Sequence, residues 1–92
     1  MKTPVDTICH ADRVAHRFFG KVDVLNLVHD AGPLVEGTTG WVLRPDGSRI
    51  HIRLKGFWRD RRLAEASCLV IVVDPLPVHP KDLEGCPVEW AR

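Results

Sequence analysis

The stretch GTTGWVLRPDGSRIHIRLKGFW, residues 37–58, spells out a β-hairpin. At its centre stands Arg44-Pro45-Asp46-Gly47-Ser48. Pro45 supplies the φ that the second position of a type I turn requires. Asp46 suits the third position, and Gly47 takes the left-handed conformation that follows. A turn of this kind makes a hairpin loop with a G1-type bulge. After it, Ile50, Ile52 and Leu54 alternate with Arg49, His51, Arg53 and Lys55, so one set faces a core and the other faces water. Before it, Trp41 and Leu43 alternate with Val42 and Arg44, and Trp41 is expected on the hairpin's inner face.

The charged side of this hairpin is the feature that points to function. Alternate side chains on a strand repeat every ~6.6 Å, close to the phosphate spacing of an extended single strand. Between residues 49 and 62 there are six Arg or Lys and one Asp, although the whole chain carries a net charge of only +1, so the remainder sums to −4. Charge is segregated rather than scarce. Arg49, His51, Arg53, Lys55, Arg59, Arg61 and Arg62 are the candidate contacts for an anionic partner, and Phe57 and Trp58 offer aromatic contact beside them. A polar face on an antiparallel sheet, and basic residues that discourage edge-to-edge aggregation, explain the same pattern without a ligand.

Working outward from the hairpin, residues 6–20 read as an amphipathic helix. Asp6 or Thr7 would cap it and Gly20 would end it. Ile8, Ala11, Val14, Ala15, Phe18 and Phe19 fall on one arc of the wheel. This helix is expected to lay Phe18 and Phe19 on a sheet. The following KVDVLNLVH is apolar on both faces and reads as a central strand with the helix on one side. Gly37 and Gly40 mark a bend. Residues 60–67 read as a short helical turn, and CLVIVV, residues 68–73, as a buried strand. The prolines from Pro75 to Pro80 predict an extended crossing, then a single helical turn, and Pro87 to Trp90 a closing edge strand. The fold expected is α+β, one domain over residues 1–92: an N-terminal amphipathic helix packed on a strongly bent, barrel-like antiparallel sheet of about four or five strands.

Composition excludes several classes. An apolar fraction of 45% with 27% charged residues is ordinary for a globular chain. The start, MKTPVDTICHADRVA, has no apolar core of a signal peptide, and the run at residues 68–73 is too short to span a bilayer. Three widely spaced cysteines, Cys9, Cys68 and Cys86, suit a reducing compartment, and a cytoplasmic location is expected. Cys9, Asp12 and His16 would share one shoulder of the predicted helix, with the donor chemistry of a zinc or thiol site. A fourth ligand is not marked out, and three side chains in line bring no oxyanion donors. Neither a metal nor a cofactor is assigned, and no catalytic residues are.

These observations lead to a non-enzymatic module that binds an anionic partner, a nucleic acid or nucleoprotein complex or else an acidic protein surface, through the basic face of the hairpin. The alternative is a small protein–protein adaptor or inhibitor that uses exposed Trp58 and an open strand edge, with self-association into a homodimer as one form of it.

Overall fold

A computed structural model describes residues 5–28, 34–58 and 68–91. Its elements are β1 (Val5–His16), β2 (Gly20–Val28), β3 (Thr39–Leu43), β4 (Arg49–Phe57), β5 (Cys68–Val73), a 3₁₀ turn (Pro80–Leu83) and β6 (Pro87–Trp90). The strands close into a barrel in the order β1-β2-β5-β4-β3-β6, every neighbouring pair antiparallel.

The predicted N-terminal helix is absent, and the fold is nearly all-β rather than α+β. Residues 5–16 are instead the longest strand, and the physical reason lies at Cys9. Ile8 pairs with Leu27 and His10 with Asn26, which leaves Cys9 as an extra residue in a β-bulge. The bulge resets the alternation, so Ile8 and Ala11 both reach the core at a spacing of three, which imitates a helical turn. Gly20 does adopt a left-handed φ of 71°, as a helix-ending glycine would, but it does so at the end of a hairpin turn. Phe18 and Phe19 stand in that turn and are 78% and 63% exposed, not laid on a sheet.

The hairpin expected over residues 37–58 is present as β3 and β4. The amide of Gly47 donates to the Arg44 carbonyl, that of Arg44 donates to the Ser48 carbonyl, and Gly47 has φ 88°. Ile50, Ile52 and Leu54 point inward and are buried with Ile8, Leu25, Leu27, Val42, Ile71, Val73 and Val88. Each such side chain contributes about 1.5–3 kcal/mol by leaving water.

After β5 the chain crosses to β6 by the proline-rich segment, and Leu76, Leu83 and Cys86 join the interior cluster. The 3₁₀ turn at Pro80–Leu83 is the expected single helical turn. β6 is not an edge: it pairs with β1 on one side and β3 on the other and so closes the barrel. Closure forces a tight approach at Gly40, where a Cβ would lie 2.8 Å from the Glu89 carbonyl oxygen and 2.9 Å from the Trp90 ring. Trp90 in turn donates its indole N–H to the buried Asp6 carboxylate at 2.9 Å. The predicted helical turn at residues 60–67 lies outside the described residues.

β2 is apolar on both faces for a reason other than a packed helix. Leu25 and Leu27 line the interior, while Val22 and Val24 form a second cluster with Val70 on the outside of the barrel. Val14, Val72 and Trp58 cover that outer patch. The β2–β5 ladder spans Asp23 to Val28, so the far end of the β1–β2 hairpin overhangs the barrel wall.

Candidate nucleic-acid interface

Strand β4 presents its charged set to solvent without interruption. Arg49, His51, Arg53 and Lys55 are all exposed, and the residues between them are buried. From Arg49 to Lys55 is six residue steps, about 20 Å of strand. Among the described residues, Arg49, Arg53 and Lys55 form no ion pair; the ion pairs found are His10–Glu84, Arg13–Asp23 and Lys81–Asp12. Arg59, Arg61 and Arg62 lie outside the described residues.

β3 adds an aromatic ring to the same outer face. Trp41 stands directly opposite His51 across the β3–β4 ladder, and their rings meet edge-on at a centroid distance of 4.8 Å. Trp41 is 40% exposed, so the expectation that it belongs to the core is corrected. The inner-face residue is its neighbour Val42, which is fully buried. Arg49 and Arg53 are the diagonal neighbours of Trp41, within reach of ~7–8 Å. Glu89 of β6 stands on its other side.

Trp58 shows the reverse correction. Expected uncovered, it is half-buried, packed on the outer valine patch, with its backbone N–H donating to the Val70 carbonyl. Its indole Nε1 is buried and has no hydrogen-bond partner among the described residues. Phe57 is 37% exposed. The bulge in β4 falls between Leu54 and Gly56, so Lys55 is the extra residue and Gly56 pairs with Val72.

At this end of β4 the overhanging hairpin completes a groove of about 600 Å³, lined by His16 and Phe19, by Val22 and Val72, by Lys55, Gly56 and Trp58, and by Glu36. His16 stacks on Phe19 at 4.8 Å and meets Trp58 edge-on at 5.9 Å. The Lys55 ammonium sits 5.0 Å from the centre of the Phe19 ring. The His16 Nδ1 accepts hydrogen bonds from the Phe18 and Phe19 backbone N–H groups, which fixes the turn that carries both rings. Sequence reading missed His16 and Phe19 as partners of Lys55, because residues 6–20 were assigned to a helix facing inward. The usable signal was His16-Arg17-Phe18-Phe19-Gly20, a glycine-ended stretch just before the valine-rich run of β2.

Cys9, Asp12 and His16 do not converge. On an extended strand Cys9 and His16 are ~23 Å apart. Cys9 donates its thiol to the Asn26 carbonyl at 3.1 Å, and Asp12 accepts from the Arg13 amide. Among the described residues no group of three or more His, Cys, Asp or Glu could hold a metal ion. Comparison of the chain with family models, with curated proteins and with solved structures finds no match.

Proposed function

We propose that this chain is a non-enzymatic module that binds a single-stranded nucleic acid, free or within a nucleoprotein complex, on the outer face of β3 and β4. The observation that carries this reading is the run of Arg49, His51, Arg53 and Lys55 on one exposed face, with Arg49, Arg53 and Lys55 lacking carboxylate partners among the described residues. Trp41 lies against that run, where a base can stack. Polar side chains at a ~6.6 Å repeat, with the guanidinium groups of Arg49 and Arg53 at ~13 Å, match successive and alternate phosphates of a backbone that is stretched along the strand. The buried free thiol of Cys86 suits a reducing cytoplasm, where we place the protein.

Charge reversal tests the reading. The double substitution Arg49→Glu and Arg53→Glu removes two cations from an exposed surface and leaves the core intact. Binding of a fluorescein-labelled single-stranded oligonucleotide should fall more than tenfold while thermal stability stays unchanged. Unchanged affinity would reject the basic face as the contact.

Exposed Phe18 and Phe19 favour a second reading, a protein adaptor. The closed barrel removes the open strand edge on which that reading first relied. Docking would instead run through the hairpin tip, and a complex lost on Phe18→Ser but indifferent to salt would establish it.

A further inference from the structure

We infer that the groove where the β1–β2 hairpin overhangs β4 is a nucleobase site, the terminus of the basic track. The inference rests on the single-strand reading above and names what that reading leaves open: where a base, rather than a phosphate, is held.

Three features select a base. First, the groove gathers rings from separate elements. His16 and Phe19 come from the hairpin and Trp58 from the end of β4, at centroid distances of 4.8 and 5.9 Å. Phe19 is 63% exposed with His16 stacked on it and the Lys55 ammonium 5.0 Å from its ring centre, so a base stacks on that ring by taking the place of the ammonium. Base-on-aromatic stacking is indifferent to sequence because every base has a π-face. Second, the floor is open by construction. A Cβ on Gly56 would meet only the Glu36 Oε1 at 3.8 Å, and Val22 and Val72 form apolar walls beside it. The volume of about 600 Å³ lies within the range of small-ligand sites. Third, the charges are arranged for a phosphate outside and a neutral ring inside. Lys55 belongs both to the groove and to the β4 track, whereas the Glu36 carboxylate reaches the groove floor, its Oε1 3.8 Å from where a Gly56 Cβ would stand, and repels a phosphate from that end.

A chain of nucleotides that follows Arg49, His51 and Arg53 along β4 therefore arrives at Lys55 with its next base level with Phe19. A hydrophobic peptide side chain would fit the walls, but it gives the preceding cations Arg49 and Arg53 nothing to neutralise. Charge complementarity favours the nucleic acid.

The test compares a labelled single-stranded oligonucleotide of about 12 nucleotides with an abasic backbone of the same length, which keeps the phosphates and lacks the rings. Each is titrated at fixed salt against the wild type, Phe19→Ala and Gly56→Val. Phe19→Ala removes the stacking face in an exposed turn, and Gly56→Val fills the floor without changing charge. Both variants should weaken the base-bearing strand by about 5- to 150-fold, the span of one stacked base, and leave the abasic strand unchanged. If the base-bearing strand binds the variants as well as the wild type, or if both strands bind the wild type equally, the base site is wrong and the basic track stands. If neither strand binds the wild type, the track fails with it. A peptide ligand displaced by Gly56→Val, with neither oligonucleotide bound, would assign the groove to protein instead.

Discussion

Arg13 and Asp23 face each other across β1 and β2 and join side to side, Arg13 Nε to Asp23 Oδ1 at 2.6 Å and Nη2 to Oδ2 at 3.2 Å. The Asp23 hydrogen bond, opposed by desolvation, raises the Arg13 pKa above its ordinary value. The carboxylate is buried, and its Oδ2 also accepts the Leu76 backbone N–H at 2.8 Å, while Arg13 reaches the Val78 carbonyl at 3.3 Å. One pair thus fastens the overhanging hairpin to the segment that crosses from β5 toward β6. Asp23→Ala leaves a buried N–H without an acceptor and frees that crossing. The expected loss is about 2–3 kcal/mol in urea unfolding. A change below about 0.5 kcal/mol, typical of an indifferent surface site, would show that the latch is ornamental.

Gly40 and Trp90 are a second fixed point. A methyl group on Gly40 would press on the Glu89 carbonyl oxygen and on the indole, and the backbone of a paired strand cannot withdraw. Gly40→Ala should therefore destabilise by about 1–3 kcal/mol, the usual cost of overpacking. It should also change the near-ultraviolet dichroism of Trp90. A neutral or stabilising effect would mean that β3 and β6 are less closely apposed than the ladder implies.

Much of this architecture was legible in the chain. The Pro45-Asp46-Gly47 turn, the inward Ile50, Ile52 and Leu54, and the outward basic set follow from turn chemistry and a strict period of two. The N-terminal strand was not legible, because one bulge residue, Cys9, converts a period of two into an apparent period near three and a half. Trp41 and Trp58 were exchanged for a related reason. Alternation fixes which residues share a face but not which face is inside, and Val42, not Trp41, pairs with Ile50 in the core. The groove was invisible because it joins residues 16–22 to residues 55–58 across an overhang that only tertiary structure creates.

The hairpin turn carries an acid-sensitive contact. Asp46 Oδ1 accepts from the Ser48 hydroxyl at 2.6 Å and from the Ser48 backbone N–H at 2.8 Å, and these bonds, the hydroxyl first, lower the Asp46 pKa. A carboxyl depressed in the folded state contributes stability above its unfolded pKa of ~3.9 and loses it as pH falls through the lower folded value. The difference in urea midpoint between wild type and Asp46→Ala should be constant above about pH 5 and shrink below about pH 4. A difference that persists undiminished in acid would assign the contribution to backbone shape rather than to the ionised carboxylate.

The outer face of β4 meets phosphates in the proposed complex, and the salt dependence of binding reports that contact directly. The association constant for a single-stranded oligonucleotide should fall with salt at a log–log slope of about −2, as phosphate contacts by Arg49, Arg53 and Lys55 at ~0.7 each require. The slope should become shallower by about 1 or more in the Arg49→Glu, Arg53→Glu protein. A slope near zero, or one the double substitution leaves unchanged, would contradict the account.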